Sequence, residues 1–152
     1  MDHPDQVAVV RKPAWLKVRY PSGPGYTETL RVARLQKKVR SGARWERSVF
    51  VLSETKKQGT MLVKTGIQVG HGETWDELLG VMDDLAAIGL SILTIGQYLQ
   101  PTREHLPVRR YYTPEEFATL RDEAKRRGVR YVQSGPLVRS SYRAEEPFEG
   151  GA

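Results

Sequence analysis

Between Thr60 and Pro101 the chain runs apolar strand, glycine turn, capped helix and second apolar strand: TMLVKTGIQVG, HGET, WDELLGVMDDLAAIGL and SILTIGQYLQP. That order predicts a β–α–β unit, whose two strands lie parallel in one sheet. Met61, Leu62 and Val63, with Ile67 and Val69 beyond Lys64, suit a mostly buried strand. Thr74 is placed to cap the helix, and Glu77 three residues later to complete a capping box. Leu78, Met82, Leu85 and Ala86 recur at helical spacing, and Gly89 falls where a left-handed C-terminal cap belongs. Ile92, Leu93 and Ile95 supply the second strand.

The order helix, glycine, strand occurs three times, at KKQG-TMLV, AAIG-LSIL and KRRG-VRYV, with glycines at 59, 89 and 128. Thr113, Pro114 and Glu116 mark another helix start, and Phe117, Leu120 and Ala124 form its inner stripe. Trp45, Val49 and Leu52 give an earlier amphipathic helix, closed by Gly59. The fold class expected is α/β: a partial parallel (β/α) barrel or an open sheet of about three strands with flanking helices. Strands cut from a barrel leave unpaired edges, so self-association is expected. Upstream, Pro13, Pro21 and Pro24 argue against a helix before Gly25. Trp15 to Tyr20 reads as extended, and a helix is expected from near Thr27 toward Val39.

A chain of 152 residues is about one domain long. It contains no cysteine, which excludes disulfides, cysteine nucleophiles and thiolate-bound metals within it. The net charge of +6 is dispersed, with clusters at Lys37, Lys38 and Arg40, at Arg109 and Arg110, and at Lys125, Arg126 and Arg127. Such clusters attract phosphates, or they are solvated cations near helix C-termini. No aromatic-interleaved motif accompanies them, so no nucleic-acid partner is expected. No apolar run approaches the ~20 residues of a membrane span. The N-terminal residues lack a secretory pattern, so no membrane and a cytoplasmic location are expected.

Ligands of parallel α/β folds bind at the carboxyl ends of strands. Three motifs sit there: GIQVGHGET, YLQPTREHLP and QSGPLVRSSY. Gly66, Gly70 and Gly72 let backbone approach a ligand or turn sharply, and Glu73 either accepts a ligand hydrogen bond or favours the following helix N-terminus. The run is neither a P-loop nor the dinucleotide fingerprint. His71 and His105 alone make a weak metal pair, and Ser140 and Ser141 lack a nucleophile elbow. Arg139 can hold an anion or pair with Glu145 or Glu146. Trp15, Trp45 and Trp75 read as core or interface anchors.

The words VRSGARWERS, VKTGIQVGHGET, LTIGQYLQPTREHLPVRRYYTPEEF and GPLVRSSYRA run from about Val39 to Ala144, and RKPAWLKVRYPSGPGYTET precedes them. In wording and order they resemble lipoyl synthase, a family of radical S-adenosylmethionine enzymes. The resemblance implies lipoate biosynthesis by a sulfurtransferase that inserts sulfur at two carbons of an octanoyl chain on a carrier lysine. It implies S-adenosylmethionine and two 4Fe-4S clusters as cofactors, one of the clusters being the sacrificial sulfur donor. The implied partner is an octanoylated lipoyl carrier domain or the glycine cleavage H protein.

Carried over by the match, Gly66, Gly70 and Glu73 occupy the family's G-x-I-x-G-x-x-E strand beside the adenosyl group, with Gln68 in place of the usual apolar residue. Gln97, Tyr98 and Gln100 fall at the end of the next strand, close to cofactor and substrate. Either Ser140 or Ser141 matches the ligand to the sacrificial cluster, and Arg139 beside them falls at the substrate. The family's cysteine triplets have no counterpart, and the lead-in joins the late segment near Lys37. The expected organisation is a lead-in with a helix (1–36), a partial α/β domain (37–144) and a disordered tail (145–152). A catalytically incomplete lipoyl synthase is the function expected. The alternative is a non-catalytic binding module for lipoyl carrier domains or for the full-length synthase.

Overall fold

The computed structural model describes residue 42, residues 44–59 and residues 62–140. The expected extended stretch Trp15–Tyr20, the helix from Thr27 toward Val39, Met61, Ser141 and the tail 145–152 lie outside those residues. The described elements are α1 (Trp45–Lys57), β1 (Lys64–Val69), α2 (Trp75–Ala87), β2 (Ile92–Gln97), α3 (Pro114–Arg126) and β3 (Tyr131–Gly135). The strands form one parallel sheet in the order β1-β2-β3. Among the described residues it is an open sheet of three strands, and the outer edges of β1 and β3 carry no partner strand.

Each helix begins and ends where local chemistry requires. Thr74 Oγ1 accepts from the Glu77 amide while Glu77 Oε2 accepts from the Thr74 amide, a complete capping box. Thr113 and Glu116 repeat it at α3, with Pro114 in the first turn, where its missing N–H costs nothing. At the other end, Gly89 (φ 72) donates to Ala86 O, and Leu90 donates to Leu85 O. Gly128 (φ 100) and Val129 make the same pair of bonds to Lys125 O and Ala124 O. Both are Schellman motifs, so the repeated word is one physical device used twice. It is not used a third time, because Gly59 is not left-handed and α1 ends on a Gln58 amide bond to Thr55 O.

The core lies between the sheet and its helices. Val69, Leu93, Ile95 and Val132 face Leu78, Val81, Met82 and Leu85 of α2 and Phe117, Leu120 and Ala124 of α3. Trp45 ties α1 to this layer, being buried with its Nε1 donating to Asp84 Oδ2 at 3.1 Å. Trp75 packs against the core, so both described tryptophans serve as anchors. The strand expected to include Val63 begins one residue later. Val63 is buried at the foot of the sheet, where its carbonyl accepts from the Ser91 and Ile92 amides before the ladder starts at Lys64.

On the sheet's second face β2 is buried along its whole length, with Ile92, Thr94 and Gly96 in line. Gly66 and Gln68 are exposed there, level with Thr94 and Gly96 of β2 and then Gln133 and Gly135 of β3. A Cβ on Gly66 would lie 2.6 Å from Thr94 Oγ1, so bare backbone lets these two strands sit as they do. The carboxyl ends of all three strands share one edge of the molecule, and from them leave the 70–73, 98–112 and 136–140 segments.

Candidate functional site

The first of these segments is a closed loop. Gly70 adopts φ 111, and a Cβ on it would lie 2.3 Å from Gln97 Nε2 and 2.6 Å from Arg110 O. Glu73 folds back over the loop: Oε1 accepts from the Gly70 amide at 2.6 Å and Oε2 from the His71 amide at 2.8 Å. Tyr112 adds its hydroxyl, donating to Glu73 Oε1 at 3.0 Å. The carboxylate is therefore occupied by three donors of its own chain. Burial, and then the negative Glu73 beside it, push the Tyr112 phenol well above its ordinary range.

Gln97 joins all three segments. It is 3% exposed. Its Nε2 donates to Val69 O (3.2 Å), Tyr98 O (3.1 Å) and Arg110 O (3.0 Å), while Oε1 accepts from the Tyr112 amide at 3.0 Å. An amide with two protons and one carbonyl has little capacity left after those contacts. Next to it the Gln97 amide donates to Pro136 O, which ties in the turn after β3. Tyr98 is buried and its hydroxyl donates to Leu106 O at 2.9 Å. Gln100 is exposed, with Nε2 donating to His105 O.

His71 stacks on Tyr98, with ring centroids 4.1 Å apart, and its Nε2 is buried with no hydrogen-bond partner among the described residues. Burial holds its imidazole below the usual range, against the opposing pulls of the Glu73 carboxylate and the Gln68 carbonyl. His105 instead closes a local turn with Thr102 at 2.8 Å. Among the described residues no three His, Cys, Asp or Glu side chains gather as a metal site.

Folding therefore favours neutral His71, and the sign of its pH dependence follows. Below about pH 6.5 the unfolded chain binds the proton more readily, so stability present above that value falls as pH drops through the lowered folded value. Thermal melts from pH 7.5 to 5 are expected to show that loss, and His71→Leu is expected to flatten it.

On the third segment, Arg139 is half-buried and Nη1 donates to Val138 O at 2.8 Å. The Val138 carbonyl lies over Gly96, where a Cβ would come within 2.2 Å of it. Ser140 is exposed, and Ser141 lies outside the described residues. The fold thus gathers Gly70, Glu73, Gln97 and Tyr98 into one hydrogen-bonded knot. Gly66 lies exposed on the sheet's second face, Arg139 at its carboxyl end, and Gln100 on an exposed loop.

Sequence reasoning missed Tyr112, which bonds to both Glu73 and Gln97. A signal was present: Tyr112 stands immediately before the Thr113 cap, and an aromatic there staples onto the fourth helical residue. Its ring lies 6.1 Å from that of Phe117, as the motif requires.

No protein-family model matches the chain. Curated relatives do. It is 54% identical over 121 residues to the lipoyl synthase of Koribacter versatilis, covering 79% of this chain and 39% of that protein. The lipoyl synthase of Parabacteroides distasonis is 50% identical over 115 residues (76% and 41%). That of Bacillus cytotoxicus is 51% identical over 116 residues (76% and 39%). The aligned stretches are long enough to contain the whole described sheet and its helices. The chain is thus similar to lipoyl synthases over about three quarters of its own length, and spans about two fifths of the length of the curated relatives it matches.

Proposed function

We propose that this chain forms part of the ligand-facing wall of a lipoyl synthase and lacks the means to run the reaction by itself. The supporting observation is the meeting of three family words at the carboxyl edge of one parallel sheet. Exposed Gly66 and Gln68 on β1 leave backbone and a side-chain amide open to a ligand beside that edge. In this reading the ligand is S-adenosylmethionine. Its polar contacts would come from Gly66 backbone and Gln68, because Glu73 and Gln97 spend theirs on the chain. The iron–sulfur clusters do not fit. A 4Fe-4S cluster is held by cysteine thiolates, and the sequence has none.

Anaerobic incubation with iron and sulfide tests this reading. The expected outcome is a colourless protein with no cluster absorption and no sulfur insertion into an octanoylated carrier domain. A brown protein that turns over octanoyl substrate would overturn it.

A second reading, a non-catalytic module that binds lipoyl carrier domains, is favoured by one separate observation. The same edge carries exposed apolar side chains among arginines, and binding there would need no cluster.

A further inference from the structure

His71 is a half-buried titratable side chain that the proposed function leaves unused. Its ring lies on that of Tyr98, with centroids 4.1 Å apart and planes tilted by 32°. Nε2 is buried and has no hydrogen-bond partner among the described residues. The Gln68 carbonyl favours a proton on the ring. With Nε2 unpartnered, that proton belongs on Nδ1, and Nε2 carries a bare lone pair. A second proton would turn Nε2 into a buried donor without an acceptor, on a charged ring.

The charged and titratable neighbours do not accommodate that cation. Glu73, on the same loop, attracts it, but its oxygens are already taken by the Gly70 and His71 amides and the Tyr112 hydroxyl. The Tyr98 hydroxyl is spent on Leu106 O. Arg109 lies over Gly72 and adds a like charge, and Arg110, whose carbonyl packs on Gly70, is paired with Glu116 of α3. At the start of α2, Glu77 is occupied by the Thr74 amide.

The backbone on either side of the ring differs in freedom. Gly70 is the fixed end, enclosed by Gln97 and Arg110, with its carbonyl accepting from the Arg109 amide at 2.8 Å. Gly72 is the free end: it is exposed, and a Cβ on it would meet just Arg109 side-chain carbons, the nearer at 3.5 Å. A hinge needs one such unrestricted residue beside an anchored one.

From this geometry we infer that His71 is a proton-released latch. Neutral, its ring seals the 70–72 turn against Tyr98 at the carboxyl end of β2; protonated, it swings out and opens that turn while the sheet stays folded. The open ring takes the proton more readily than the closed one. The closed form is therefore fully favoured above the ordinary histidine value of about 6.5 and is lost as pH falls below it. The latch does not depend on which ligand the sheet edge receives.

Native-state hydrogen exchange of the full chain, followed by NMR from pH 7.5 to 5.5, tests the latch. Protection of the His71 amide, which is bonded to Glu73, is expected to fall about tenfold, one decade for the unit between 6.5 and 5.5. That exchange is expected to respond little to dilute urea, because a local opening exposes little surface, whereas the Leu93 and Ile95 amides follow global unfolding. His71→Phe keeps a ring to lie on Tyr98 but takes no proton, and is expected to abolish the pH response. Ring nitrogen shifts of the parent chain at pH 7.5 are expected to show a proton on Nδ1 and none on Nε2, a readout that needs no variant.

A proton on Nε2, or protection that does not change with pH, would overturn the latch. So would His71 exchange as urea-sensitive as that of Leu93, which would make the opening global unfolding. A fall in protection that persists in His71→Phe would assign the titration to another group and overturn it as well.

Discussion

Gln97→Leu is expected to destabilise the chain by about 3 kcal/mol, because each buried polar group left without a partner costs roughly 1–3 kcal/mol. The substitution keeps most of the side-chain volume and removes only hydrogen-bonding capacity. Val69 O is protected, since it also accepts from the Tyr98 amide at 2.8 Å. Tyr98 O, Arg110 O and the Tyr112 amide lose the bonds that Gln97 makes to them. For a domain of this size such a loss lowers the melting temperature by roughly 10 °C.

Gln97→Glu separates polarity from shape. Its first oxygen can still accept from the Tyr112 amide, but its second faces the three carbonyl oxygens that accept from Gln97 Nε2. The carboxyl is therefore expected to favour its protonated form in the folded state, with a raised folded pKa. Stability is then greatest below the unfolded value of about 4.3 and is lost as pH rises through the folded value. Denaturant titrations at pH 4 and pH 7 read this directly. Equal losses for Gln97→Glu at both values would mean that the side chain is not the hub described above.

Much of the fold is legible in residue types alone, because the signals are local. The capping boxes at Thr74 and Thr113 and the Schellman glycines 89 and 128 each involve residues within five positions of one another, and the helix stripes lie within single elements. The parallel order follows from their alternation. The foot of β1 was less legible, since Val63 bonds to Ser91 across 28 residues and its apolar character says only that it is buried.

The site divides the same way. Glu73, Gln97 and Tyr98 are recognisable as members of family words, but a motif does not tell where a side chain spends its hydrogen bonds. Glu73 reaches Tyr112 across 39 residues and Gln97 reaches Val69 across 28, contacts that only the assembled sheet edge defines. The structure thereby gives both residues a second role beside any ligand, that of holding the edge together. Nothing in spacing separates that role from direct contact.

Gly70→Ala is expected to be the other large loss, about 3 kcal/mol or more, from two separable causes. The first is backbone: a side chain at φ 111 sits in a region that L residues rarely enter, costing of order 1–3 kcal/mol. The second is contact: the new methyl would meet Gln97 Nε2 at 2.3 Å and Arg110 O at 2.6 Å. Neither neighbour can yield freely, because the two are bonded to each other and Gln97 also holds Tyr112.

A double-mutant cycle with Gln97→Ala distinguishes the causes. Removing the glutamine side chain eliminates one collision and frees the Arg110 carbonyl to move. The two losses are therefore expected to sum to less when combined, by roughly 1 kcal/mol. Strict additivity in denaturant unfolding would place the whole effect in the Gly70 backbone. It would also mean that the glycine loop and the 98–112 segment stand independently, contrary to the knot formed by Glu73, Gln97 and Tyr112.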